Sequence, residues 1–264
     1  MISPTPRMIA EKDGPIGRLV FNKPERHNAT SSDMWEAIPV ILEDFERDPA
    51  IRVMVVTGAG DKAFVSGADI SEFEQARATP EQVAHYDKIG EVANSRLVKF
   101  SKPTIARIRG YCMGGGVAIA LTCDIRIASD NARFAVPAAK LGLGYRAAGI
   151  QTLMNVVGPS FAKEIFYTGR QFSAQEALAM GLVNRVVPDA ELDTYVDNYC
   201  KQIGANAPLT MHAVKRTVEE LTRLDSKPDL HSVAQLVGEC FASEDYVEGR
   251  RAFMEKRKPV FKGR

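Results

Sequence analysis

Apolar positions along this chain fall into short β-branched runs separated by stretches with helical spacing. Ile51–Thr57 (IRVMVVT) is one such run, ending at Gly58 as a buried strand should. Thr104–Ile108 (TIARI) follows Lys102-Pro103 and stops before Gly110. Asp124–Ala128 (DIRIA) continues from a short apolar helix at Val117–Leu121, and Ile16–Phe21 is a strand closed by Asn22-Lys23-Pro24. Ser32–Phe45 carries a helical pattern, with Ser31 or Ser32 placed to cap its first turn. Pro39 inside that pattern predicts a kink or an early end, because proline removes a helix hydrogen bond and crowds the preceding turn. Beyond Lys201 the pattern changes. Pro208–Leu224 and His231–Lys258 are long, strand-free and rich in helix formers.

Strands alternating with helices predict an α/β architecture. The strands come unevenly, without the regular crossovers of a doubly wound sheet. The helical tail divides the chain into an α/β core at 1–204 and a helical region at 205–264. We find no internal repeat and no low-complexity tract.

Composition narrows the classes. A formal net charge of +1 over 264 residues gives no electrostatic reason for a nucleic-acid or membrane partner. No apolar run approaches the ~20 residues needed to cross a bilayer, and the segment MISPTPRMIAEKDG lacks the apolar core of a secretory signal. Cys112, Cys123, Cys200 and Cys240 are scattered without a CxxC spacing, so buried thiols in a reducing cytoplasm are expected, with no metal site and no disulfide framework. His27, His85, His212 and His231 have no metal-ligand spacing and are assigned surface or structural roles.

The candidate chemistry centres on Gly110-Tyr111-Cys112-Met113-Gly114-Gly115-Gly116, between a strand and a helix. Glycines let backbone approach a ligand, and the first N–H groups of a helix point at an anion or a developing oxyanion. No Gly-Lys-Ser/Thr follows, and Ile119 occupies the third glycine position of a dinucleotide fingerprint. A plain structural turn remains open on spacing alone. A second glycine turn, Thr57-Gly58 through Ser66-Gly67-Ala68-Asp69-Ile70, can supply another backbone N–H, or can simply be a surface loop closed by a helix capped by Asp69.

These segments and others, in order, resemble the enoyl-CoA hydratase/isomerase (crotonase) superfamily over nearly the whole chain. The matching pieces are Asn22-Lys-Pro…Asn28-Ala29, Phe64-Val-Ser-Gly-Ala-Asp-Ile70, Lys102-Pro-Thr-Ile-Ala106…Gly114-Gly-Gly116, Cys123-Asp-Ile-Arg-Ile-Ala128, Phe134…Pro137, Thr168-Gly169…Ser173-Ala174, Ala177…Gly181-Leu182-Val183 and Glu255-Lys-Arg-Lys258. The resemblance implies a spiral of strand–strand–helix turns with a helical C-terminal region that builds homotrimers, often paired into hexamers. It implies an acyl-CoA substrate, with coenzyme A as part of that substrate rather than a separate cofactor. It places the thioester oxygen between the N–H groups of Ala68 and Gly115. It puts Arg26, Lys62, Asp69, Ile70 and Lys256 at coenzyme A-binding positions, although Arg26, Lys62 and Lys256 also read as solvated surface cations.

The chain departs from the family where hydratases carry two glutamates, which are Ala118 and Ala138 here. Hydration needs a base for water and an acid for the α-carbon, groups that typically contribute about 10²–10⁴-fold. The segment Leu141-Gly-Leu-Gly-Tyr145-Arg-Ala-Ala-Gly149-Ile150 and the stretch Ser243–Pro259 resemble methylmalonyl-CoA decarboxylase-like members instead, though the histidine these carry at the position of Ala68 is absent. Losing CO₂ from a malonyl-type thioester leaves an enolate without a base. Tyr145 either orients the carboxylate or delivers a proton, or it packs against Leu141 and Leu143. Arg146 pairs a substrate carboxylate or is a solvated loop arginine, and Glu72, Gln151 or Asn155 can replace the missing carboxylates. The expected function is therefore a decarboxylase-like acyl-CoA lyase. The alternatives are an enoyl-CoA hydratase/isomerase with other acid/base groups and a non-catalytic acyl-CoA-binding homologue.

Overall fold

The computed structural model describes residues 3–69, 79–222 and 227–264. Among the described residues, ten strands form two sheets. The larger contains β1 (Met8–Asp13), β2 (Ile16–Phe21), β3 (Val53–Gly58), β5 (Thr104–Ile108), β7 (Ile125–Ser129) and β10 (Arg185–Val187), in the order β1-β2-β3-β5-β7-β10. Only the β1–β2 hairpin is antiparallel in it. The smaller sheet has the order β4-β6-β8-β9, from β4 (Ala63–Val65), β6 (Tyr111–Met113), β8 (Arg133–Ala135) and β9 (Phe172–Ser173).

Helices follow these strand pairs. They are α1 (Ser32–Arg47), α2 (Pro80–Val98), α3 (Gly115–Leu121), α4 (Ala147–Thr168), α5 (Ala174–Ala179) and α6 (Leu192–Gly204), then α7 (Pro208–Thr222), α8 (Leu230–Ala242) and α9 (Glu244–Met254). The repeat is plain at β5-β6-α3: one strand in each sheet, then a helix. β3-β4 and β7-β8 make the same step between sheets, which places β4, β6 and β8 side by side. The expected strand–strand–helix spiral is present.

Side-chain alternation in β3 explains the layering. Met54 and Val56 join the large core with α1, whereas Val53 and Val55 face a second cluster with Leu192 and Val196 of α6. Charge fastens α6 and the 3-10 turn before it to the same face, through Arg18–Asp197 (2.8 Å) and Arg107–Asp193 (2.7 Å) for the helix and Arg109–Asp189 (2.8 Å) for the turn.

Several boundaries differ from the sequence reading. The strand expected at Ile51–Thr57 begins at Val53, because Arg52 N and Val53 N both donate to Pro15 O in the preceding turn. Asp124 lies outside β7, its carboxylate accepting from the N–H and hydroxyl of Thr104. Helix α1 runs through Pro39 to Arg47 as one element. Burial of Met34, Trp35, Ile38, Ile41, Leu42 and Phe45, roughly 1.5–3 kcal/mol each, outweighs the ~3 kcal/mol of one interior proline. In the tail, the stretch read as His231–Lys258 is two helices. Ser243 breaks it and caps α9, its hydroxyl accepting from Tyr246 N (3.0 Å).

Candidate active site

Strand β4 leads into Ser66-Gly67-Ala68-Asp69. Gly67 takes a φ of +106°, a region side chains avoid. Thr30 makes a parallel bridge to Ala68: Thr30 N donates to Gly67 O (2.8 Å) and Asp69 N donates to Thr30 O (3.0 Å). A parallel bridge uses the flanking groups of its central residue. The N–H of Ala68 itself therefore faces away from Thr30.

On that other side lies the start of α3. A Cβ added to Gly116 would fall 2.0 Å from Val65 O, so only glycine lets the helix lie this close to β4. A Cβ on Gly115 would fall 3.7 Å from Gly67 Cα and 3.9 Å from Ala68 N. First-turn N–H groups lack intrahelical partners, so the Gly115 N–H and the Ala68 N–H stand beside one another at the junction of two loops.

Asn28 and the Lys23–Asp69 pair hold this junction, and of these three residues Asn28 and Lys23 were assigned no role from sequence. Asn28, fully buried at φ +56°, accepts from Lys23 N through Oδ1 (2.9 Å) and donates from Nδ2 to Ala59 O (2.9 Å) and Ala63 O (2.8 Å). Lys23 Nζ lies 2.6 Å from Asp69 Oδ2, with the two side chains 10% and 7% exposed. Both residues fall within motifs of the resemblance (Asn22-Lys-Pro…Asn28 and Gly-Ala-Asp), which is the signal that marked the segments without giving their function. Asp69 was expected to cap the helix after it. Here its carboxylate meets Lys23, and Ile70 and Glu72 lie outside the described residues.

The facing positions carry no charge. Ala118 sits one turn into α3, and Ala138 is buried in the 3-10 turn Pro137–Leu141. Leu141 and Leu143, beside which Tyr145 was placed, are 66% and 56% exposed, and the contacts described for the ring lie on the other side of it in sequence. The Tyr145 ring meets Phe166 edge-on (centroids 4.7 Å apart, 65°) and passes over Gly149, where a Cβ would be 3.1 Å from the ring. The helix α4 supplies both contacts. Burial pushes the Tyr145 phenol up, so it keeps its proton at neutral pH. Arg146 is an exposed arginine at the loop–helix junction, as the solvated reading expects, and it is engaged there by Asp87 (2.8 Å) and Glu91 of α2. Gln151 donates to Asn155 along the exposed side of α4.

The cations expected around coenzyme A do not all converge. Arg26 and Lys62 are exposed, and Ser66 ties the Arg26 turn to β4 by donating to His27 O (3.1 Å) and Arg26 O (3.4 Å). Lys62 O accepts from Tyr111 N (3.0 Å), whose ring lies 5.9 Å from that of His27. Lys256 instead follows α9, and the tail beyond it rests on Arg52 and Pro208 at the amino-terminal end of β3. Cys112, Cys123 and Cys200 are buried free thiols. No group of three metal-ligating side chains occurs among the described residues, and no described helix is long and apolar enough to cross a membrane.

Comparison with known proteins gives a consistent result. The family model for enoyl-CoA hydratase/isomerase matches residues 11–264. The chain is 36% identical over 251 residues to the short-chain-enoyl-CoA hydratase of Clostridium acetobutylicum, covering 95% of each chain. It is 36% identical over 257 residues to the carnitinyl-CoA dehydratase of Escherichia coli O157:H7, covering 96% of this chain and 97% of that one. Among solved structures it resembles an enoyl-CoA hydratase/carnithine racemase from Magnetospirillum magneticum, with a TM-score of 0.91, 35% identity and 98% and 97% coverage.

Proposed function

Because the chain belongs to the enoyl-CoA hydratase/isomerase (crotonase) family, we propose that it binds an acyl-CoA thioester and stabilises its enolate between the N–H groups of Ala68 and Gly115. The observation that carries this reading is the close approach of Gly115 to Gly67 and Ala68, which sets two backbone donors side by side. Donors fixed in place favour an oxygen that gains charge over a ground-state carbonyl, and one such donor is worth roughly 3–4 kcal/mol. In this reading Arg26 and Lys62 line the approach for the nucleotide part of coenzyme A.

Adding or removing water across a short-chain enoyl-CoA passes through this enolate and is the chemistry for which the relatives are named. It is our first reading, and it requires acid/base groups other than carboxylates at 118 and 138. A second reading, a decarboxylase-like lyase, is favoured by one specific observation. Ala118 and Ala138 leave no side chain there to move a proton, and loss of CO₂ makes an enolate without a base. Protonated, half-buried Tyr145 would then return a proton to the α-carbon.

Turnover of crotonyl-CoA and methylmalonyl-CoA, with chromatographic identification of products, tests both. Hydrated crotonyl-CoA is the result expected from the first reading, and decarboxylation alone would replace it with the second. Binding without turnover of either would leave an acyl-CoA-binding homologue.

We also propose that the tail assembles the chain into trimers or pairs of trimers. A cleft of about 880 Å³ between α7, α8 and α9 is lined by apolar side chains including Val214, Val218, Val237 and Phe241. Phe253 and Met254 at its rim are 82% and 80% exposed. Such a face is costly to leave in water, and sedimentation would report its burial.

A further inference from the structure

We propose that Lys23 and Asp69 are positioning residues that set the direction of the Ala68 N–H, an inference that rests on Ala68 being an oxyanion donor. The peptide around Ala68 is held at both ends. Gly67 O accepts from Thr30 N (2.8 Å), and Asp69 N donates to Thr30 O (3.0 Å). These two bonds, both to Thr30, fix the plane of the segment. The Asp69 carboxylate adds a second anchor on a different element, the Lys23 ammonium at 2.6 Å.

Lys23 is itself immobilised. Its N–H donates to Asn28 Oδ1 (2.9 Å), and its carbonyl accepts from Arg26 N (2.9 Å) and Asn28 N (2.9 Å). Asn28 in turn donates to Ala63 O (2.8 Å), at the start of the strand that delivers Ala68. The contacts close a ring: Lys23 to Asp69, along the chain to Ala68 and back through β4 to Ala63, then through Asn28 to Lys23. The donor peptide lies inside that ring. Removing the pair opens it and frees the peptide to tilt, and misplacement of about 1 Å at a reacting geometry costs roughly 10²-fold in rate.

A buried charge left without its partner threatens folding, so the informative variant removes both charges: Lys23→Met with Asp69→Asn. Lys23→Arg keeps a cation opposite Asp69 and serves as the conservative control. The probe is butyryl-CoA labelled with ¹³C at the thioester carbonyl, which has no double bond to hydrate, read by isotope-edited infrared spectroscopy. In the native protein the bound carbonyl band should shift to lower frequency, the signature of hydrogen-bond polarisation. The double variant should lose most of that shift and, on the substrate that is turned over, about 10–100-fold in kcat. Lys23→Arg should recover most of both. A double variant that keeps the native band position and kcat, and changes only Tm, would overturn the inference while leaving the donor pair intact. Absence of any shift in the native protein would instead remove the donor reading itself.

Discussion

In the proposed site, Ser66–Asp69 and Gly114–Gly116 would present backbone to the substrate, whereas Ala118, Ala138 and Tyr145 would present side chains. The first is shaped by what cannot be changed locally. Gly67 needs its positive φ, Gly116 needs to lack a Cβ, and Thr30, Asn28, Lys23 and Asp69 hold the strands around them. The second is open to substitution, since its three residues meet neighbours through small or apolar surfaces. A fold that encodes its donors in backbone can keep binding a thioester oxygen while the groups opposite change. That division explains how this chain retains the family's glycine loops and has alanine at both carboxylate positions.

The comparison breaks most severely at Gly116. A side chain there collides with Val65 O at 2.0 Å, so Gly116→Ala should abolish turnover and acyl-CoA binding and lower stability by on the order of 3 kcal/mol. Denaturant unfolding together with calorimetric titration would measure both. Wild-type affinity in that variant would mean the helix start is not part of the site.

The facing wall should accept change and gain by it. Ala118→Glu combined with Ala138→Glu should raise crotonyl-CoA hydration by about 10²–10⁴-fold for each group that acts. No gain, in a folded variant that binds acyl-CoA, would show that the two positions do not face the reacting carbons.

Tyr145→Phe separates the two roles weighed for that ring. The contacts with Phe166 and Gly149 survive the change, so stability should move by less than about 0.5 kcal/mol. If Tyr145 returns the proton after CO₂ loss, methylmalonyl-CoA turnover should fall about 100-fold. Unchanged turnover would leave the ring a packing residue.

The last test is a pH dependence of the fold as a whole, outside the site. Cys112 lies on the strand leading to Gly114, Cys123 follows α3, and Cys200 is on α6. Burial pushes all three thiols above their ordinary 9.0, Cys123 and Cys200 to about 12. Above pH 9 the unfolded chain releases these protons while the native chain keeps them. Stability should therefore fall as pH rises, by roughly 1.4 kcal/mol per thiol for each pH unit. Lys102, lowered to about 8 chiefly by burial, acts oppositely between about pH 8 and its ordinary 10.5, because there the unfolded chain holds the extra proton. The thiols outnumber it. Urea midpoints should hold between pH 8 and 9, where Lys102 offsets the thiols, and decline from pH 9 to 10, and Cys200→Ala should flatten that decline; a midpoint that rises from pH 9 to 10 would show that the thiols are not shielded.

Much of the fold was legible in the pattern of residues. Ile16–Phe21 and Thr104–Ile108 are strands over the bounds expected, because short runs rich in apolar residues and closed by turn residues suit a sheet covered on both faces. Short strands such as Ala63–Val65 and Arg133–Ala135 escaped notice, since three residues carry no period. Helix α2 was also missed; its capping box at Thr79 and Gln82 was the available signal. Pro39 misled because local propensity is weaker than the packing of a long apolar face.

The sequence by itself determined which chemistry-bearing segments exist: two glycine turns, their order among the other motifs, and the alanines at 118 and 138. Those are properties of residue type and spacing, and both are written along the chain. Only the tertiary structure decided which groups meet. Lys23 and Asp69 stand 46 positions apart and Arg146 reaches Asp87 across 59, so neither pairing leaves a local signal. The same reason holds for the donors, since Ala68 and Gly115 become neighbours only because β4 and β6 pair side by side and Gly116 lets α3 begin against Val65.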